Sequence, residues 1–241
     1  MLYNSVNFIK KQRFKRLKNL VSENVVIVAN NLNPSLFSQL WLVRQGIADE
    51  EDFAPNCVFS QFVNQVFTPD FQLFVVPERL QFTLTDRSRG NSELVRNKLG
   101  CIMQKIPHTP YRAIGTNFHW LVAPDSPRDF VNFMRDLFVK ERVPIYEEFS
   151  EKNARFGAYL SKDVFGTRLR LNIKPVKSTP KAETDKIHES LQLAFNFHLD
   201  LEDGEKIIDS MIKFLGEWDR MSSYSEELAS IVLASDDMLE K

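Results

Sequence analysis

The tripeptide Asn-Phe-His occurs twice, at 117–119 and 196–198, each time near the end of an alternating apolar and polar run. Imidazoles move protons near neutral pH and ligate metals, so His119 and His198 are the first residues that could do chemistry. Strand side chains point alternately to opposite faces. Asn117 and His119 therefore share a face with Ala113 and Gly115, while Phe118 and Trp120 take the other. The second run sets Gln192, Ala194, Asn196 and His198 against Leu193, Phe195 and Phe197, and a third adds Arg168, Arg170 and Asn172. With Arg155 just upstream, the candidate binding set is Asn117, His119, Arg155, Arg168, Arg170, Asn172, Asn196 and His198. Small residues flanked by Arg, Asn and His make a shallow polar surface with positive character. Such a face has three uses: a solvated or interdomain surface, an anion-recognising surface for nucleic acid, nucleotide or acidic protein, or a metal or acid–base site at the two histidines. Two histidines without a supporting carboxylate are a poor zinc set, and no nucleophile accompanies them. No catalytic residue, metal or cofactor is therefore assigned, and an enzyme built from dispersed residues around His119 and His198 is the last-ranked alternative.

A second source of positive charge is the N-terminal stretch, where Lys10, Lys11, Arg13, Lys15, Arg16 and Lys18 occur without an acid between residues 8 and 21. Phe14, Leu17 and Val21 recur at helical spacing, so the pattern predicts a basic amphipathic helix over 8–21. Its lysines either contact nucleic acid or anionic lipid, or stay solvated while the apolar stripe packs on the body.

The classical local motifs are missing. The eight glycines are never closer than nine residues apart, so no phosphate-cradling Gly-rich loop can be assembled. There is no Gly-x-Ser-x-Gly elbow, no Cys-x-x-Cys, no His-x-His or His-x-x-x-His, and no Asp/Glu-x-Lys triplet. The net charge of −1 means that bulk charge recruits neither DNA nor membrane. Cys57 and Cys101 do not make a disulfide framework and read as two reduced thiols, which with the lack of a signal-peptide core or a spanning apolar stretch predicts a cytoplasmic protein with no membrane span.

The elements that must position these residues follow from periodicity. Strands are expected at 25–28, within 57–67, at 71–76 and 80–84, at 111–121 and at 191–199, with a hairpin of 154–160 and 164–174 turning at Ser161-Lys162-Asp163. Helices are expected after Asn33-Pro34, from Ser92, over 126–138, from about Asp203 to Trp218, and over 226–233. Residues 175–189 carry no periodicity and read as a loop. The mixture predicts an α+β fold of mainly antiparallel sheets with helices on one face. The two Asn-Phe-His strands, each followed by a helix, suggest two pseudo-repeated halves, giving segments 1–22 (basic), 23–143 and 144–241, with the last two able to form one composite domain.

Leu73 to Phe82, a helix, and then Tyr111-Arg112-Ala113-Ile114-Gly115-Thr116-Asn117-Phe118 resemble a sporadically distributed family of bacterial proteins with no established activity. The resemblance implies a bacterial or phage-borne α+β protein and carries no catalytic residue over. The expected function is a soluble, non-enzymatic binding or interaction protein, with a protein partner or self-association first. A nucleic-acid- or nucleotide-binding module using the basic segment and the polar sheet face is the alternative.

Overall fold

The computed structural model describes residues 17–85, 91–123, 130–139, 144–151, 153–178, 188–202, 204 and 206–238. Nine strands form one sheet: β1 (Leu17–Ala29), β2 (Val58–Phe59), β3 (Asn64–Phe67), β4 (Phe71–Val76), β5 (Arg79–Leu84), β6 (Tyr111–Ala123), β7 (Ala158–Val164), β8 (Thr167–Ser178) and β9 (His188–Asp200). Their order is β2-β3-β4-β5-β1-β6-β9-β8-β7 and every pairing is antiparallel. The fold is therefore α+β, as the sequence pattern indicates. Segments 23–143 and 144–241 contribute to one continuous sheet, joined where β6 pairs with β9 from Ala113↔Asp200 to Val122↔Leu191.

Among the described residues six α-helices accompany the strands: α1 (Gln39–Arg44), α2 (Asn91–Lys105), α3 (Phe130–Phe138), α4 (Pro144–Glu147), α5 (Ile207–Gly216) and α6 (Trp218–Met238). They meet the sheet face made by Val25, Ile27, Phe82, Phe118, Phe195 and Phe197, all essentially buried. Trp218 at the start of α6 packs edge-on against Phe118, 5.1 Å between ring centres, and Phe118 meets Phe197 at 6.1 Å. Burying each such ring contributes about 1.5–3 kcal/mol, so this face supplies the main driving force. Trp120 Nε1 donates to Ser225 Oγ at 3.0 Å, which satisfies the one polar atom of a buried indole.

Several expectations change. The chain is strand from Leu17, so the basic amphipathic helix does not reach its expected end; Lys10, Lys11, Arg13, Lys15 and Arg16 lie outside the described residues. Antiparallel pairing of Leu17–Leu20 with Trp120–Ala123 of β6 outweighs the weak helical stripe of Leu17 and Val21. The expected strand over 57–67 is two short strands around a turn in which Ser60 Oγ accepts from the Val63 and Phe62 amides at 3.0 and 3.3 Å. The late hairpin does not turn at Ser161-Lys162-Asp163, which lie inside β7. It turns at Phe165-Gly166, both with positive φ (55° and 69°) as a two-residue hairpin loop whose twist matches its strands requires. Pro175 belongs to β8, beyond the reach of β7, where its missing N–H costs no ladder bond on the β7 side. The last helix is not confined to 226–233 but runs from Trp218.

Candidate functional site

The opposite face of the sheet carries Ser22, Asn24, Val26 and Val28 of β1, the even positions of β9 and the odd positions of β6 from Ala113 onward; the bulge at Val21 turns Lys18 and Leu20 to the helix side. Among the described residues no helix packs there, and its side chains are half-buried or exposed apart from a few at the centre, such as Asn24, Ala113 and Gly115. Register aligns Thr83, Asn24, Asn117, Asn196, Arg170 and Ser161 in one row across six strands. At the centre of the row Asn196 Nδ2 donates to Asn117 Oδ1 at 2.8 Å, and Asn117 Nδ2 donates to Asn24 Oδ1 at 2.8 Å. Asn24 Nδ2 points on to Ser22 Oγ at 3.5 Å. The two shorter bonds make a ladder of amides aligned in one direction, each carboxamide keeping a second N–H. Asn24, only 6% exposed, is the buried end of it.

The next row places Gln81, Val26, Gly115, His198, Arg168 and Asp163 side by side. His198 Nε2 lies 3.0 Å from Asp200 Oδ1, and Arg168 Nη1 donates to Asp163 Oδ1 at 3.0 Å. Gly115 leaves room for its neighbours: a Cβ there would sit 3.1 Å from Asn196 Nδ2 and 3.8 Å from His198 Nδ1. The result is a shallow depression of about 160 Å³ over Gly115, with Val26, Val28 and Ala113 on one side and Asn117, Asn196 and His198 on the other.

On the far side of the amide row, His119 stands opposite Ala194 and in line with Asn172 and Tyr159. Burial, and secondarily the Lys174 ammonium, hold its pKa below the ordinary histidine value of 6.5, so the imidazole stays neutral at pH 7. The two Asn-Phe-His copies run antiparallel with Asn117 facing Asn196, which sends the histidines to opposite ends of the motif. Four residue steps separate their rows, about 14 Å along the strands. One metal ion or one reacting bond cannot be served by both. Among the described residues no group of three or more His, Cys, Asp or Glu stands ready to hold a metal ion.

Of the expected site residues, the fold brings Asn117, His119, Arg168, Arg170, Asn172, Asn196 and His198 to this one face. Arg155 is not among them: its guanidinium pairs with Glu189, whose position on β9 has the parity of Leu191 and Leu193 on the helix side. Lys18 also faces the helices, donating to Glu226 Oε1 at 2.8 Å and to Ser230 Oγ at 3.0 Å, with its ammonium 5.7 Å from the Trp120 ring centre. Asn24, Lys174, Asp200 and exposed Tyr159 are site residues that reading by motif misses. Extending the alternation of Val25–Val28 one residue backwards would have found Asn24.

No family model and no curated protein matches this chain. No helix among the described residues is long and apolar enough to cross a membrane.

Proposed function

We propose that this is a non-enzymatic binding protein whose recognition surface is the open face of the sheet, and that its ligands present negative charge. The observation that carries this is the amide ladder Asn24–Asn117–Asn196 bordered on β8 by the exposed Arg168, Arg170 and Lys174. Hydrogen-bonding amides fix orientation, and guanidinium groups supply planar, paired donors to carboxylates and phosphates. The Arg170 guanidinium has no hydrogen-bond or ion-pair partner among the described residues. An acidic protein surface fits this face, and a second copy of the chain joining through its exposed Tyr159 and Leu160 on the edge strand β7 is the self-association reading.

Nucleic acid is the second reading, favoured by one feature: Arg168, Arg170 and Lys174 occupy alternate positions of β8, a line of positive charge suited to a chain of phosphates. The free cysteines Cys57 and Cys101 fit a cytoplasmic location. The idea of two related halves is supported by the facing Asn-Phe-His strands, although β1, lying between β5 and β6, has no counterpart in the second half.

The test is retention on immobilised poly-glutamate and heparin. Wild type should be retained and should elute with salt, and the double variant Arg168→Glu/Arg170→Glu should flow through at an unchanged melting temperature. Equal retention of both proteins would show the face to be inert.

A further inference from the structure

The depression over Gly115 is more specific than a charged surface. We propose that, with Arg168 and Arg170, it seats a nucleoside phosphate, free or within a single strand, its heterocycle over Gly115 and its phosphate on the arginines. This rests on the binding role given above to the open face.

The size fits one ring. A depression of about 160 Å³ compares with the ~150 Å³ that accommodates benzene in an engineered apolar cavity. Its walls divide by chemistry. Val26 and Val28 of β1 with Ala113 offer apolar contact to a ring face, and Asn117, Asn196 and His198 offer polar contact to a ring edge. The polar side presents donor and acceptor together. An ionised carboxylate only accepts, so the His198 tautomer that donates from Nε2 to Asp200 turns the Nδ1 lone pair to the Gly115 floor. Beside it, Asn196 has spent one N–H on Asn117 and retains the other. Adjacent donor and acceptor are the complement of a base edge, which displays acceptors and amino donors side by side. Gly115 keeps the seat open, because any side chain would fill the floor and press on Asn196.

The anion site lies one strand further out. Arg168 is directly opposite His198 and Arg170 opposite Asn196 on β8, about 4.8 Å beyond β9. A nucleoside lying across β6 and β9 therefore carries its phosphate towards two guanidinium forks. The Arg168–Asp163 pair is solvent-exposed, with side chains 46% and 82% accessible, so exchanging Asp163 for a phosphate costs little. The two carboxylates nearby are each already paired, Asp200 with His198 and Asp163 with Arg168.

Titration calorimetry of the full chain with AMP, GMP, CMP and UMP, with adenosine and inorganic phosphate as controls, tests this. At least one monophosphate should bind one per chain, and each control at least ten-fold more weakly. His198→Ala and Gly115→Val should each weaken the nucleotide at least ten-fold, His198→Ala at an unchanged melting temperature. Circular dichroism checks the folding of the glycine variant, and His198→Ala keeps the test valid if that variant fails to fold. A fluorescent single-stranded RNA octamer separates the two sources: binding lost in His198→Ala places the nucleotide within a strand. RNA binding that ignores His198→Ala, or poly-glutamate retention with no monophosphate binding, overturns the seat. The second result leaves the broader binding role standing, and loss of poly-glutamate retention by wild type removes both.

Discussion

Phe118 and Asn117 are neighbours in the chain and lie on opposite sides of one sheet. Phe118 has no exposed surface and touches Phe197 and Trp218; Asn117 is half-buried and holds the amides of Asn24 and Asn196. The same strand therefore serves two solvents. The helix side is bound by non-directional apolar burial and tolerates exchange of similar shapes, whereas the open side is bound by directional pairs that specify position more than they add stability. Stability and recognition are separated by a single residue step.

That contrast can be broken from either side. The largest effect is expected for Phe118→Ala, which removes the ring at the junction of β6, β9 and α6 and should lower unfolding free energy by about 3–5 kcal/mol in urea melts. A loss under about 1 kcal/mol would mean that the helix side does not hold the fold. Asn117→Ala should cost about 1 kcal/mol, since it strands the Asn24 carbonyl oxygen and an Asn196 N–H at a half-wet position. A double-mutant cycle with Asn24→Ala should return positive coupling, and additivity would show that the amides do not act as a ladder.

A third effect is set by pH. Because the folded His119 binds its proton less readily than the unfolded chain does, stability is intact above the unfolded value near 6.5 and is lost as pH falls below it. The urea midpoint should therefore drop between pH 7.5 and 5.5, and His119→Gln should flatten that drop. An identical slope in the variant would remove His119 as its source. The smallest effect on stability is expected for Arg168→Glu/Arg170→Glu, within about 0.5 kcal/mol, because both side chains are exposed. A larger loss would show that these arginines serve the fold and not a ligand.

The alternation of Phe71–Val76, Leu80–Leu84 and Leu191–Leu199 makes both faces legible in the sequence, and seven of the eight expected site residues share the open face. Arg155 did not, because it precedes β7 and its direction depends on a partner 34 residues away. The β7–β8 turn was misplaced for a local reason: Ser161-Lys162-Asp163 has turn composition, while Phe165 adopts a backbone conformation that its residue type rarely takes. What holds Phe165 there is tertiary. Its ring stacks on Phe197, meets Tyr224 edge-on at 5.4 Å and lies 4.1 Å from the Arg220 guanidinium carbon. The union of all nine strands into one sheet was likewise invisible, since register between β6 and β9 is fixed by residues some 80 positions apart.

Helix α6 grips two separate parts of the sheet: the seam where the start of β1 meets the end of β6, through Lys18–Glu226 and Trp120–Ser225, and the Phe165 turn at the margin, through Arg220 and Tyr224. All nine strands precede α6 in the chain, and the Lys18–Glu226 contact closes a loop of 208 residues. During synthesis, then, a complete set of strands emerges before the element that fastens them. Contacts of such long range slow folding. The nascent sheet therefore passes through an interval in which the part of its Phe-rich side around Phe118 that α6 covers is open, and removing α6 should yield a chain that pairs its strands and then aggregates.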